Sequence, residues 1–100
     1  EVRFVRADDG WMSPAHGHDV CQLGAYMANN PDLDTYFAGF ERRMLDLGGR
    51  PHWGKEFAAS GPTVRARYPR SAEWVELVRT LDPDRVFRNP FTRRLLQGAQ

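Results

Sequence analysis

Cysteine, lysine and long apolar runs are all scarce in this sequence of 100 residues. With a single cysteine, Cys21, the chain cannot form an internal disulfide. No run approaches the roughly 20 apolar residues of a membrane-spanning helix, and no signal peptide is recognisable. These features argue against membrane association and favour a cytoplasmic location. Because the chain opens on Glu1 rather than Met, we interpret it as a piece of a longer protein.

The sequence also lacks an excess of either charge, since 14 basic residues face 13 acidic ones and the net charge is +1. Nucleic-acid-binding surfaces normally carry clustered Lys and Arg, so we expect no nucleic-acid partner. A Gly-x-Gly-x-x-Gly phosphate loop and a nucleophile elbow are missing as well. Any cofactor that needs a glycine-rich cradle must therefore be held by residues outside this chain.

Alternating apolar and polar residues predict a strand over residues 1–7. In this strand Val2 and Phe4 would face a core, while Glu1 and Arg3 would lie side by side on the opposite face. Taken by spacing alone, the carboxylate and the guanidinium form an ordinary surface ion pair, worth less than about 1 kcal/mol.

A second strand is predicted over residues 20–27. One of its faces would bury Cys21 as a small hydrophobe rather than expose it as a nucleophile. Gly24 and Tyr26 would lie on the other face. Two strands alone make a marginal sheet, which indicates that further strands belong beside these.

Helices are predicted over the rest of the chain. Asn30 would cap the first helix ahead of Pro31, and Gly48 and Gly49 would end it. Its apolar stripe consists of Leu33, Phe37, Phe40, Met44 and Leu47. Shorter helices are predicted over 62–68, after a cap at Ser71, and after Asn89-Pro90. The fold class is therefore α+β, with a small antiparallel sheet covered by helices.

The stretch from Gly48 to Lys55 is unusual because it combines glycine, proline, histidine, tryptophan and the only lysine of the chain. Pro51 stiffens this segment, and Trp53 is large enough to anchor it in a core. Lys55 is then a positioned cation, of the kind that suits an anionic group or developing negative charge.

A metal site could be assembled from His16, His18, Cys21 and His52. No Cys-x-x-Cys or His-x-x-x-His pair supports it. We therefore interpret the histidines as ordinary loop residues and expect no metal.

Taken together, these residues resemble the C-terminal part of the FAD-dependent sugar-1,4-lactone oxidoreductases. This family includes gulonolactone oxidase, arabinonolactone oxidase and alditol oxidase, among the vanillyl-alcohol-oxidase-like flavoproteins. The matching segments are Glu1-Val2-Arg3-Phe4, Ala7-Asp8-Asp9, Ser13-Pro14, Gly48-Gly49-Arg50-Pro51-His52-Trp53-Gly54-Lys55, Tyr68-Pro69, Leu81-Asp82-Pro83, and Phe87 with Asn89.

The resemblance implies a two-domain flavoenzyme, of which residues 1–100 form the C-terminal part of the substrate, or cap, domain. The FAD-binding domain of the same full-length protein would lie outside this chain and would be its partner. The fragment alone is therefore expected to be inactive. The substrate would be a sugar lactone or a related polyol, oxidised by hydride transfer to the flavin.

The resemblance also implies roles for individual residues. Lys55, Glu1 and Arg3 would be catalytic, and Lys55 would also contact the cofactor. Substrate contacts would come from Glu1, Arg3, Tyr26, His52 and Lys55. Such roles suit the chemistry, because negative charge builds on the flavin as it accepts a hydride and because sugar hydroxyls need directional partners.

Three residues depart from the family pattern. One of them is His18, which replaces a commoner arginine. Gly24 stands where alditol oxidases carry a histidine, which favours a lactone-type member and leaves the proton acceptor unassigned. Arg85 stands in a turn that the family often makes with glycine, so a different turn is expected there. Two other classes stay open: a non-catalytic module that binds a small polyol, and a metal-binding interaction domain.

Overall fold

Two strands and four helices follow one another through residues 1–99, the part of the chain that the computed structural model describes. They are β1 (Val2–Val5), β2 (Val20–Leu23), α1 (Leu33–Asp46), α2 (Gly61–Arg65), α3 (Ser71–Leu81) and α4 (Pro90–Leu95). The chain divides into two units, residues 1–58 with the sheet and α1, and a helical unit from residue 59 onward. The α+β class is confirmed.

β1 and β2 pair in antiparallel register over four residues each, so both strands are shorter than predicted. One further pair extends the ladder, because the Glu1 nitrogen donates to the Gly24 carbonyl at 2.9 Å and the Gly24 N–H donates to the Glu1 carbonyl at 2.8 Å. Tyr26 consequently lies beyond the end of β2 rather than within it.

One face of the sheet is apolar and uncovered. Residues directly opposite each other in the ladder share a face, and the register pairs Val2 with Leu23 and Phe4 with Cys21. Val2 is 60% exposed, Phe4 86% and Leu23 43%, and Cys21 is exposed as well. The predictions that Val2 and Phe4 pack into a core and that Cys21 is buried are therefore wrong for this chain. Alternation identifies the apolar face, but burial needs a second layer, which residues 1–99 do not supply.

The ends of α1 follow from local chemistry. The Asn30 side chain accepts the Asp32 N–H at 2.8 Å, so it makes a turn ahead of the helix, and Asp32 takes the capping position predicted for Asn30. At the other end Gly48 has a φ of 77°. The Gly49 N–H donates to the Met44 carbonyl at 2.7 Å, and a Cβ at residue 49 would lie only 2.6 Å from that oxygen. The glycine pair ends the helix, as predicted.

The predicted apolar stripe of α1 is only partly covered, and so are the apolar residues of α3. On α1 the first four stripe residues are half-buried and Leu47 is 72% exposed. On α3 Val75 is buried, whereas Leu81 is 72% exposed. Among the residues described, no helix is long and apolar enough to cross a membrane.

The helical unit has its own small core, formed by Val64, Tyr68, Val75, Leu95 and Leu96. Within it α2 packs against α4. A Cβ on Gly61 would lie 2.2 Å from the Arg94 carbonyl oxygen and 2.6 Å from that of Leu95. Only glycine allows the start of α2 to approach the end of α4 so closely.

Side-chain caps set the starts of two of these helices. The Ser60 hydroxyl accepts the Thr63 N–H at the start of α2, which ends at Arg65 and is shorter than predicted. Asn89 and Thr92 form a reciprocal capping box at the start of α4, so the predicted start at Asn89-Pro90 is confirmed. Ser71 is the first residue of α3 rather than its cap, a position that Arg70 takes.

A buried carboxylate organises the turn after α3. Asp82 is 8% exposed and accepts the backbone N–H groups of Val86 at 2.7 Å and Phe87 at 3.3 Å. Arg88 Nε lies 3.6 Å from the second carboxylate oxygen. Within the turn Arg85 has a φ of 59°, in the left-handed region that glycine favours. The arginine therefore adopts a backbone conformation that glycine would adopt without strain.

Candidate functional site

The polar face of the sheet carries a hydrogen-bonded cluster of three predicted site residues. Arg3 Nε donates to Glu1 Oε1 at 2.6 Å, and the Arg3 Nη2 group contacts the same oxygen. The Tyr26 hydroxyl donates to the other oxygen, Glu1 Oε2, at 2.9 Å. The carboxylate is therefore held from both sides, while the Arg3 side chain stays 66% exposed and that of Glu1 40% exposed.

The cluster fixes the protonation state of its members. The hydrogen bond from Arg3, followed by that from Tyr26, lowers the pKa of the Glu1 carboxyl below its ordinary value of 4.5. The same carboxylate raises the pKa of the Tyr26 phenol above its ordinary value, because it accepts the phenolic proton. Glu1 is then an anion and Tyr26 a neutral donor at neutral pH. A carboxylate with a lowered pKa orients hydroxyl groups well but is a poor proton acceptor.

The other two predicted site residues share a tight turn. The Gly54 N–H donates to His52 Nδ1 at 3.0 Å, and the Lys55 N–H donates to the His52 carbonyl at 3.0 Å. Because Nδ1 accepts a hydrogen bond, the neutral imidazole carries its hydrogen on Nε2. Trp53, within this turn, is half-buried. His52 thus braces the backbone that leads to Lys55, and its Nε2–H remains able to donate.

Lys55 is exposed. Its ammonium makes no hydrogen bond or ion pair with any residue from 1 to 99. Within that part of the chain, no hydrogen bond or ion pair joins the turn of His52 and Lys55 to the cluster of Glu1, Arg3 and Tyr26. The five residues therefore form two groups, one on the sheet and one on the turn.

Arg50 has a structural role that the sequence did not reveal. Its Nη1 donates to the Pro14 carbonyl at 3.1 Å and to the His16 carbonyl at 2.9 Å. The loop that it holds is closed by Asp8, whose carboxylate accepts the Ser13 hydroxyl. Arg50 thereby ties the turn-forming stretch to the loop between the strands. The available signal was a guanidinium set between glycine and proline in a turn-forming segment.

The four candidate metal ligands are not brought together. His16 Nδ1 hydrogen-bonds to the Gly10 carbonyl at 2.9 Å, and His52 is engaged in its own turn. No group of three His, Cys, Asp or Glu residues within 1–99 is arranged to hold a metal ion. The structure gives the metal-binding alternative no site in this part of the chain.

Comparison with known proteins decides the family. Residues 1–95 match the profile of D-arabinono-1,4-lactone oxidases. The chain belongs to this family. The match extends over both units, and it includes the Glu1–Arg3 pair and the turn that carries Lys55.

Individual relatives agree with this assignment. The chain is 42% identical to an L-gulono-1,4-lactone dehydrogenase of Mycobacterium tuberculosis over 96 residues, which are 96% of this chain and 22% of that protein. It is 39% identical to an alditol oxidase of Streptomyces over 99 residues, or 98% of this chain and 24% of that protein. It is 32% identical to the L-gulonolactone oxidase of Mus musculus over 100 residues, or 95% of this chain and 22% of that protein. The chain thus spans between a fifth and a quarter of the length of these relatives.

Proposed function

We propose that this chain is the C-terminal part of the substrate domain of an FAD-dependent oxidoreductase that oxidises a sugar 1,4-lactone or a related polyol. The FAD-binding domain would belong to the same full-length protein. The observation that carries the proposal is the Glu1 carboxylate, which is held ionised between Arg3 and Tyr26 on an exposed polar face. The relatives named above act on sugar lactones or alditols, as their names state.

The cluster suits a polyhydroxylated substrate. Glu1 still has lone pairs on both oxygens and can accept hydrogen bonds from sugar hydroxyls. Arg3 uses Nε and Nη2 on Glu1, so its other N–H groups can donate to hydroxyl or lactone oxygens. Because Arg3 is braced by Glu1, its donors are oriented before the substrate arrives. This lowers the entropy lost on binding.

The exposed apolar face of the sheet supports a place within a larger domain. A large side chain such as Phe4 stabilises a fold by about 1.5–3 kcal/mol when it is buried, and it contributes little while it is 86% exposed. We propose that other segments of the full-length substrate domain cover this face. The opposite, polar face would then be left for the substrate.

Lys55 is the residue of this chain that we assign to the flavin. FAD, when bound, supplies the acceptor for the hydride removed from the sugar carbon. An exposed ammonium with no partner among residues 1–99 fits a ring system that gains negative charge. His52, with its Nε2–H directed by the hydrogen bond at Nδ1, would contribute a further donor to the substrate.

The test uses the full-length protein and measures the rate of flavin reduction by a sugar lactone without oxygen. We expect Lys55→Met to slow reduction by a factor of about 100 or more, which corresponds to about 3 kcal/mol of transition-state stabilisation. Lys55→Arg should recover part of this loss because it keeps the charge. Arg42→Met, which removes an exposed cation from α1, is the matched control and should leave the rate unchanged.

Two results would refute the proposal. An unaltered rate of reduction in Lys55→Met would remove the role of the ammonium. Binding of the sugar without bleaching of the flavin absorbance in the wild-type protein would favour a non-catalytic polyol-binding module. Residues 1–100 on their own should turn over no substrate, because the hydride acceptor lies outside them.

A further inference from the structure

The helical unit contains an open cavity that is bordered mainly by arginines. Its volume of about 760 Å³ lies within the range of roughly 300–1,000 Å³ that is typical of small-molecule sites. Val75 and Leu96, both buried, form its apolar part. Among the described residues that line the cavity, Asp82 is the one carboxylate. The guanidinium groups come from α3, from the turn after α3 and from α4, and they belong to Arg79, Arg85, Arg88 and Arg93.

Two of the four arginines are already engaged within the protein. Arg79 Nη1 lies 3.4 Å from Glu76 Oε2, and the Nη2 group of Arg79 donates to the Ala99 carbonyl. Arg88 Nε lies 3.6 Å from Asp82 Oδ2. Glu76 and Asp82 therefore offset two of the four positive charges.

The other two arginines have no partner in the part of the chain that the structure describes. Arg85 and Arg93 are exposed, and their side chains make no hydrogen bond or ion pair with any residue from 1 to 99. The Nη groups of Arg88 also make no hydrogen bond there, and only its Nε is buried without one. The cavity therefore keeps an excess charge of about +2, together with several unused N–H donors.

Arg85 adopts a backbone conformation that favours glycine. Its φ is 59°, and it is the one non-glycine residue within 1–99 that has a positive φ. The left-handed region is unfavourable for residues that carry a Cβ. The turn after α3 therefore keeps a guanidinium beside the cavity at a position where glycine would strain the backbone less.

The charge and the donors of this cavity favour a phosphate group. A guanidinium is a planar fork that matches the oxygens of phosphate or carboxylate. A phosphate monoester carries about −1.5 to −2 charge at neutral pH and has three acceptor oxygens, so it balances the excess charge and can accept from several arginines. A carboxylate carries a single charge on two oxygens and would leave about half of the excess charge unbalanced.

We propose that this cavity is a binding site for a phosphate dianion, with Arg85 and Arg93 as its principal donors and Arg88 as a further donor. The apolar side chains of Val75 and Leu96 would contact the organic part of a phosphate ester. The cavity lies within the helical unit and uses none of the residues assigned to the sugar or the flavin. The site is therefore independent of the proposed function.

Isothermal titration calorimetry of the full-length protein tests this site with three probes. Phenyl phosphate should bind, and benzoate, which has the same ring but a single charge, should bind at least about tenfold more weakly because it makes fewer charged hydrogen bonds. Inorganic phosphate separates the two sources of the dianion. If it binds more weakly than phenyl phosphate, the site takes an organic ester, and if it binds equally well, the site takes the free ion.

Two substitutions remove the unpaired guanidinium groups with little expected effect on folding. Arg85→Gly suits the left-handed backbone at this position, and Arg93→Gln changes an exposed residue of α4. Each should weaken the binding of phenyl phosphate about tenfold, because each removes charged hydrogen bonds to the dianion. Arg70→Gln is the matched control, since it removes an equal charge from the same helical unit at a residue outside the cavity. This control should leave the affinity unchanged.

Four results would overturn the proposal. They are no binding of either phosphate to the wild-type protein, equal affinity for benzoate and phenyl phosphate, unchanged affinity in Arg85→Gly and Arg93→Gln, and an equal loss of affinity in Arg70→Gln. The first would indicate that an acidic segment of the full-length protein fills the cavity. Thermal unfolding verifies that the variants are folded, and phenyl phosphate should raise the Tm of the wild-type protein more than that of either cavity variant. None of these measurements uses turnover, so their failure and the failure of the proposed function are distinguishable.

Discussion

Asp82 is expected to hold the turn after α3, and the removal of its carboxylate tests how much that turn depends on it. The carboxylate accepts the Val86 N–H at 2.7 Å and, with its second oxygen, the Phe87 N–H at 3.3 Å. It also lies 3.6 Å from the guanidinium of Arg88, whose side chain is only 16% exposed. Asp82→Ala would leave two backbone donors and a partly buried cation without their acceptor.

The magnitude follows from these contacts. A hydrogen bond to a charged acceptor contributes about 1.5–3 kcal/mol, and the shorter of the two bonds belongs in that range. The longer bond and the unpaired Arg88 add to it, so we expect a local destabilisation of about 3 kcal/mol in Asp82→Ala. Asp82→Asn keeps an acceptor for Val86 but loses the charge, and it should cost about 1 kcal/mol.

Amide hydrogen exchange, followed by mass spectrometry on the full-length protein, measures this loss where it occurs. Each 1.36 kcal/mol is a tenfold change, so the Val86 and Phe87 amides should exchange about 100 times faster in Asp82→Ala. The matched control is Asp84→Ala, because Asp84 is exposed in the same turn and makes no hydrogen bond or ion pair with residues 1–99. Equal exchange rates in the two variants would show that the buried carboxylate does not hold the turn.

Two further predictions concern close packing and pH. Gly61→Ala should destabilise the protein by about 2 kcal/mol or more, because the new Cβ would lie 2.2 Å from a carbonyl oxygen of α4. Gly39→Ala, whose Cβ would meet nothing within 4 Å, should stabilise the protein by up to about 1 kcal/mol. Thermal unfolding of the two variants measures both changes. If Glu1 binds substrate as a carboxylate, kcat/KM should be retained above its lowered pKa and lost only as the pH falls through it. Arg3→Leu removes the main cause of that lowering, so the acid limb of the pH profile should move up toward 4.5, and an unmoved limb would contradict the assignment.

Local chemistry made several features predictable from the residues alone. The end of α1 at Gly48 and the capping box at Asn89 depend on neighbours within a few positions, so they could be inferred before the fold was known. The side-by-side placement of Glu1 and Arg3 follows from the period of two in a strand. The motif from Gly48 to Lys55 pointed to the family that the comparison then showed.

The sequence by itself thus determined the α+β class, the end of α1, the start of α4 and which face of the sheet is polar. The two helix ends and the polar face depend on contacts between near neighbours. Only the tertiary structure decided that Tyr26 crosses from beyond β2 to Glu1, and that Arg50 holds the loop at His16. It also decided that Phe4 stays exposed. Contacts of this kind join residues 25 and 34 positions apart, or depend on a layer outside the strand, and no periodicity along the chain encodes them.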